Sequence, residues 1–335
     1  MKTFRFAIFS SIVAVLLGAQ FLLAADEQTQ ENAASVLSKA ISLVDIQAAN
    51  GAPFVLLANV TLREGGKSVN GLFGMSWAAP GRYRRVFRFP GFTATEVVTD
   101  GIAYRQRSTD ALPLLIWELD DLVRVASSYR LRPHWKIRGL QTDRSGGSDL
   151  TCVLAQASQA ESRICVNTAT GEPFSITRGV DAYHLEHARE RYEYTDYEPF
   201  EGRAFPRKLT FRGWDSRIVE VQITKLVRAQ SFSADEFIPP TGATRTHYCE
   251  SPDTTGELRP STGSTIPFGF SDVEVDMYFQ VTPVGGVRYA QVVYSSDPLK
   301  NKEILSWFTG THFPIETCSG TPISYEMFVR FKTGH

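Results

Sequence analysis

Few residues in this chain have both the type and the spacing that chemistry needs. Gly65-Gly-Lys-Ser68 has the ending of a phosphate-binding loop. Such a loop also needs a glycine five positions before Gly66, where Thr61 stands, and a helix after it, where a strand pattern follows. The segment reads as a hairpin turn. His184-Leu-Glu-His187 puts two imidazoles at i and i+3, but no third ligand lies nearby and the flanks read as strand, so no metal is expected. Glu118-Leu-Asp-Asp121 falls on the polar side of a helical pattern, as a solvated face would. No Gly-x-Ser-x-Gly elbow occurs, and no cysteine is placed as a nucleophile. The expectation is a protein that is not an enzyme and uses no cofactor.

What the sequence does offer is an apolar surplus. A sheet closed by helices can enclose more apolar surface than its own side chains fill, and such a hollow suits acyl chains. The candidate lining residues are Phe54, Leu56, Val60, Phe73, Met75, Trp77, Tyr83, Phe87, Phe89, Tyr104, Leu115 and Leu119. The same residues could also form an ordinary filled core, and the sequence does not separate the two readings.

These side chains depend on elements that alternate. Ala33 to Ala49 has helical spacing at Val36, Leu37, Ala40, Ile41 and Val44. The period then switches to two: Phe54, Leu56, Ala58, Val60 and Leu62 alternate with a less apolar set before Glu64-Gly65-Gly66-Lys67 turns the chain. Further strands are expected near 69–77, 82–89, 95–99 and 102–106, with Pro-Gly and Asp-Gly turns between them. A helix beginning near Pro113 carries Leu114, Leu115, Leu119, Leu122, Val123 and Ala126 on one side. Strands resume near 135–140, 150–154, 163–167, 174–178, 191–196, 205–211 and 218–226. Residues 33–240 therefore read as an antiparallel sheet domain, and the Thr-, Ser-, Pro- and Gly-rich stretch 241–265 as a linker. Residues 266–335 read as a small β-β-α-β unit with strands at 273–281 and 287–294. Its helix, capped by Asp297 and opened by Pro298, carries Leu299, Ile304, Leu305 and Phe308, and its last strand spans 323–331.

Lys2 and Arg5 precede an apolar run from Phe6 to Leu23, and Ala24-Ala25 gives way to Asp26-Glu27-Gln28. This is the pattern of a signal peptide over 1–25. Leu23 is an imperfect residue for the cleavage motif, and the run approaches the roughly 20 residues that span a bilayer, so an uncleaved inner-membrane anchor stays open. A lipid anchor is not expected, since no cysteine lies near this end. The 335 residues suggest two domains by length, and a formal net charge of -1 gives no electrostatic case for nucleic acid. Four cysteines in an exported chain favour disulfides over metal ligands. Cys152 and Cys165 flank a hairpin pattern, which leaves Cys249 and Cys318. Three connectivities exist, and Cys152–Cys165 with Cys249–Cys318 is preferred.

Two resemblances attach to these residues. Gly71-Leu-Phe-Gly-Met-Ser-Trp77, Pro80-Gly-Arg-Tyr-Arg-Arg85, Asp100-Gly-Ile-Ala-Tyr104 and Tyr194-Thr-Asp-Tyr197 with Phe205-Pro206 resemble the LolA/LolB outer-membrane lipoprotein-sorting proteins. That resemblance implies a curved antiparallel half-barrel holding lipid against helices. Val281-Thr-Pro-Val-Gly-Gly-Val287, Ala290-Gln-Val-Val293, Ser295-Ser-Asp-Pro298 and Cys318-Ser-Gly-Thr-Pro-Ile323 resemble a TonB C-terminal domain. The apolar N-terminus holds no histidine and a sheet domain stands where a Pro-rich spacer would, so energy coupling is not implied. The expected fold class is α+β and β-dominated: a half-barrel with covering helices plus the small TonB-like unit. The expected role is a periplasmic binding or adaptor protein, with a lipid or lipoprotein in the half-barrel. Its envelope or outer-membrane protein partner would pair along the edge strand of Ile323, Tyr325, Met327, Val329 and Phe331. A carrier of hydrophobic ligands and a structural envelope protein with a filled core are the alternatives.

Overall fold

The computed structural model describes residues 30–131, 135–157, 160–179, 189–214, 216–249 and 273–332. The signal-peptide residues, the His184/His187 pair and most of the proposed linker lie outside the described residues. Among those described, no helix is long and apolar enough to cross a membrane.

Helix α1, residues 30–44, buries Ala33, Leu37, Ala40 and Val44, spaced four, three and four apart. It stops short of the expected Ala49 because the chain doubles back into the first strand. A Cβ on Gly51 would sit 2.6 Å from the Ile46 carbonyl oxygen, so only glycine fits that return. Twelve strands follow in one antiparallel sheet: β1 (Phe54–Glu64), β2 (Lys67–Ala79), β3 (Arg82–Phe89), β4 (Phe92–Thr99), β5 (Ile102–Arg107), β6 (Lys136–Ser145), β7 (Ser148–Ala157), β8 (Ala160–Asn167), β9 (Pro173–Gly179), β10 (Arg189–Phe200), β11 (Arg203–Arg212) and β12 (Ile218–Arg228). Gly65 and Gly66, at φ 54° and 77°, make the β1–β2 turn the primed type that suits hairpin twist, so this segment is a turn and not a phosphate cradle.

Between β5 and β6 the chain crosses the sheet through α2 (Leu114–Val123) and the single turn α3 (Val125–Ser128). The expected continuous helix to Ala126 is interrupted at Arg124 (φ -90°, ψ 57°), whose side chain turns back to the Asp120 carbonyl and carboxylate. Strand order runs β5-β4-β3-β2-β1-β12-β11-β10-β9-β8-β7-β6, with a thirteenth strand outside β5. That strand, β13 (Thr244–His247), pairs antiparallel with β5. It corrects the reading of 241–265 as linker throughout. An edge strand needs only backbone hydrogen bonds on one side, so the Thr-Arg-Thr-His run carries no apolar signature.

The sheet is bent around α2. β3 and β9 are six strand steps apart, roughly 29 Å in a flat sheet. Yet Arg85 of β3 binds Asp120 and Arg178 of β9 binds Asp121, adjacent residues of one helix. Only a half-barrel wrapped round α2 satisfies both. Its edges, β13 and β6, do not pair with each other, so the barrel stays open. The core fills the concave side with Phe54, Phe73, Trp77, Phe211, Leu119 and Leu122, each at most 2% exposed.

A second, three-stranded sheet has the order β15-β14-β18, from β14 (Glu274–Val281), β15 (Val287–Ser295) and β18 (Tyr325–Lys332). α4 (Asn301–Thr309) lies between β15 and β18 in sequence, followed by the short β16 (Thr317–Cys318) and β17 (Thr321–Pro322). β14 is covered on both faces. Val275, Met277, Phe279 and Val281 pack with Ile304, Phe308 and Phe313, while Tyr278 faces the half-barrel core. Leu299, expected on the apolar side of this helix, is 94% exposed. It sits in a 3-10 turn, Pro298–Lys300, whose tighter winding rotates it out of phase with Ile304 and Phe308. Asp297 does cap that turn, accepting from the Leu299 N–H at 3.1 Å.

Both disulfides have the preferred pairing. Cys152–Cys165 joins directly opposite residues of β7 and β8, and Cys249–Cys318 ties the end of the β13 segment to β16 across 69 residues. Closing a loop of that length restricts the unfolded chain by about 4 kcal/mol in the chain-entropy model. Cys318→Ser should therefore lower the urea unfolding free energy by up to about that amount. Cys249→Ser should match it, and the double variant should cost no more than either single one.

Candidate functional site

A cavity of about 300 Å³ lies between the concave face of β1–β5, helix α2 and the second sheet. Strand alternation builds one wall: on β2 and β3 the odd-numbered residues point inward. Phe54, Leu56, Phe73, Met75, Trp77, Tyr83 and Phe87 line it. Phe54 stacks on Trp77 at 5.5 Å between centroids and Phe73 tilts against Phe87 at 5.1 Å, which makes this wall stiff and apolar.

The other expected lining residues go elsewhere. Val60, Leu115 and Leu119 are buried in the core without facing the cavity, and Phe89 lines a separate, more open hollow near β3–β5. Tyr104 is on the opposite face of the sheet, under the Arg245 guanidinium at 5.5 Å. Ala103 pairs with Val98 and takes the inward parity on β5, and a shift of one residue flips a strand side chain to the other face.

The remaining lining is charged. Arg85, Glu96 and Arg105 stand directly opposite one another on β3, β4 and β5. Arg85 Nη2 reaches Glu96 Oε1 at 2.5 Å, Arg105 Nε reaches Glu96 Oε2 at 2.5 Å, and the Tyr83 hydroxyl donates to Glu96 Oε1 at 3.0 Å. Arg85 Nη1 binds Asp120 of α2, and Arg124 binds the same carboxylate at 3.2 Å. Burial alone would push the Glu96 carboxyl up, but Arg85 and Arg105 hold it well below the usual carboxylate range. Two residues further along β5, Arg107 makes a two-pronged pair with Glu326 of β18, at 2.9 and 3.0 Å.

These charges are legible in the sequence only once the register is known. Arg85 shares parity with Tyr83 and Phe87, Glu96 with Ala94 and Val98, and Arg105 and Arg107 with Ala103. A charge on the apolar parity of three successive strands is the missed signal.

The acidic run of α2 is a further correction. Glu118 is 6% exposed rather than solvated, accepting from the Tyr192 hydroxyl at 3.1 Å, and Asp121 pairs with Arg178, whose guanidinium lies 5.0 Å over the Tyr192 ring. A helix inside a half-barrel has sheet on both flanks, so its polar side faces protein as well. Burial, with Glu190 adding to it, pushes the Glu118 carboxyl well up. Among the described residues no cluster of three or more His, Cys, Asp or Glu could hold a metal ion.

The mouth of the cavity is closed by residues distant in sequence. Thr246, His247, Tyr248 and Cys249 of the β13 segment meet Glu316, Ile323, Ser324, Tyr325 and Glu326 there. Trp117 of α2 packs edge-on to Phe328 at 5.3 Å, and Phe328 in turn meets Tyr278 at 5.2 Å. Of the expected partner-strand residues, Ile323 and Tyr325 thus line the mouth, while Tyr325, Met327 and Val329 pack toward the α4 core. Phe331 pairs through its backbone with Val275.

No family model and no curated protein sequence matches the chain. Solved structures similar to it include a DUF1329 family protein from Desulfovibrio piger, 11% identical, with a TM-score of 0.45 over 63% of this chain and 97% of that one. A LolA superfamily protein from Nitrosomonas europaea is 10% identical, with a TM-score of 0.40 over 62% and 97%. MucB, also solved from Pseudomonas aeruginosa with MucA, is 12% identical, with a TM-score of 0.31 over 82% and 95%. At these identities and TM-scores the neighbours carry nothing about function, which has to come from the chain's own geometry.

Glu96→Gln leaves Arg85 and Arg105 without their shared charge and should destabilise the fold by about 3–5 kcal/mol, read from urea unfolding at pH 7. In the parent, the Glu96 contribution is complete above about pH 4.3 and drains away as pH falls below that, because the folded carboxyl titrates lower than the unfolded one. That slope should be shallower in the variant. Glu118→Gln has the opposite sign. A carboxyl raised by burial opposes folding as pH climbs through its folded-state value, so this variant should melt higher than the parent at pH 8 and alike near pH 4.

Proposed function

We propose that this chain is a non-enzymatic protein of the cell envelope that holds a hydrophobic ligand, a lipid or the lipid of a modified partner, in its half-barrel. The cavity carries the reading. Its volume of about 300 Å³ reaches the range in which small-molecule sites are found, and an aromatic and aliphatic wall stands against a charged one. Placement in the envelope rests on the signal-like N-terminus and the two disulfides.

The second sheet gives an adaptor role one specific support. β15 carries irregularities opposite Asp276/Met277 and Phe279/Gln280, which blunt an edge, whereas β18 pairs with β14 in unbroken register from Tyr325 to Lys332. A partner strand would add more readily beside β18. The TonB-like reading of residues 266–335 rests on their sequence motifs alone.

Native mass spectrometry of the protein purified from a periplasm, followed by organic extraction, is the direct test. The expected result is an added mass that extracts as lipid. Ala94→Trp fills the cavity from an inward position on β4 and should remove that mass while costing about 1–3 kcal/mol of stability. A parent protein with a clean apo mass, and no uptake of added lipid, overturns the ligand-holding reading.

A further inference from the structure

The outer face of the half-barrel departs from the alternation its strands otherwise follow. Where one face of an antiparallel sheet packs a core, the solvated face is polar. Leu57 of β1 and Leu72 of β2 stand on the outward parity, yet they are apolar and 44% and 51% exposed. They are diagonal neighbours, since Leu57 is opposite Gly74 and Leu72 opposite Asn59. Leu57 lies over Gly74, where a Cβ would meet Leu57 Cδ2 at 3.3 Å. Val55 and Val227, directly opposite each other, extend the patch toward the end of β12, and Val227 is 42% exposed.

The register also sorts the charges around these leucines. One row across the outer face runs Lys225, Leu57, Gly74, Val86 and Thr95, from β12 to β4. The next runs Lys208, Gln222, Asn59, Leu72 and Arg88, from β11 to β3. Neither row holds a carboxylate. Lys208, Lys225 and Arg88 are exposed and make no ion pair among the described residues. The carboxylates beside the rows are engaged: Glu220 binds Arg63 at 2.7 Å, and Glu236 accepts from the Ser76 hydroxyl at 2.6 Å. A chain with a formal net charge of -1 thus gathers three unmatched cations on one face. The four strand steps from β11 to β3 spread them over roughly 19 Å.

Leucines therefore sit on the crest of a convex surface, with cations on both flanks. An anionic leaflet matches both features, because leucine side chains enter the acyl boundary while the cations meet phosphates. A protein partner is anchored most often through aromatic residues, and neither row has one. A second copy of this chain would bring the same three cations against these. We infer that the outer face of β11–β3 docks on an anionic phospholipid leaflet. The strands that line the cavity inward hold the membrane outward, and the docking does not require an occupied cavity.

The test mixes protein released from a periplasm without detergent with vesicles of equal parts phosphatidylcholine and phosphatidylglycerol, then floats them through a density gradient. The protein should rise with these vesicles and stay behind with phosphatidylcholine alone. Binding should weaken as salt is raised, because exposed charges are screened. Lys208→Gln/Lys225→Gln/Arg88→Gln should weaken it about a hundredfold, at roughly fivefold for each cation near an anionic surface. Leu57→Ser/Leu72→Ser should weaken it while keeping the salt dependence. All five positions are solvent-facing, so urea midpoints should match the parent, and Lys208→Gln/Lys225→Gln alone carries the test if the triple variant unfolds. Ala94→Trp, which fills the cavity, should float as the parent does. Equal flotation on neutral vesicles, no flotation on either, or parent-like binding by both folded variants overturns the inference. So does loss of binding in Ala94→Trp, which would route the contact through the cavity, or a concentration-dependent dimer that the leucine variant abolishes. The ligand-holding reading fails separately, on the clean apo mass described above.

Discussion

Helix α2 carries Glu118, Asp120 and Asp121 into the hollow of a sheet, and each carboxyl has to find a hydrogen-bond partner there. An unpaired carboxylate in such a place would cost several kcal/mol, so the strands on both flanks must supply donors at matching heights. Arg85 comes from β3 on one side, Tyr192 and Arg178 from β10 and β9 on the other. Because β3 is five steps from β10 and six from β9 by order, gripping one short helix from both sides is what makes the sheet curve. Leu119 and Leu122 bury the apolar side of the helix against the core. The charged contacts choose one rotation and one height for the helix.

The cavity follows from the same arrangement. On β3 to β5 the inward rows mix Tyr83, Phe87, Ala94 and Val98 with Arg85, Glu96, Arg105 and Arg107. Guanidinium groups held in ion pairs cannot relax into a void the way methylenes do, and filling the space beside them with apolar atoms would strip their remaining hydration. The space stays open, and the second sheet closes over it. Arg107–Glu326 and Trp117–Phe328 cross from the half-barrel to β18, and the Cys249–Cys318 bond crosses to β16 beside it, so the mouth is held by an ion pair, an aromatic contact and a covalent link together.

Much of the architecture was legible from local pattern. The alternation of Phe54, Leu56, Ala58, Val60 and Leu62 marks β1 because one face of a half-buried strand must be apolar wherever it sits. The Asp297-Pro298 start of the helical segment and the glycine turns at 65–66 and 100–101 are equally local, since capping and left-handed backbone depend on a few neighbours. The pairing of Cys152 with Cys165 was within reach for the same reason: a hairpin pattern puts them opposite. Elements with weak side-chain signatures were not legible. β13 is four residues of Thr, Arg and His held by backbone bonds to β5, and Leu299 belongs to a 3-10 turn whose phase differs from the helix it leads into.

The candidate site divides along the same line. Sequence alone determined that residues 54–107 form strands with a strongly apolar parity, and so placed Phe54, Leu56, Phe73, Met75, Trp77, Tyr83 and Phe87 on one inward surface, because period-two alternation is a property of each strand by itself. Which of those side chains border empty space was decided only by tertiary structure. So were the exclusion of Val60, Leu115, Leu119 and Tyr104, the meeting of Arg85, Glu96 and Arg105 across three strands, and the burial of Glu118 on what reads as a solvated face. Those outcomes depend on strand register, on the bend of the sheet round α2 and on closure by a segment more than 200 residues away from β3 in sequence. Contacts between distant residues are set by how elements dock, and the energies that decide docking are not written in any one element's pattern.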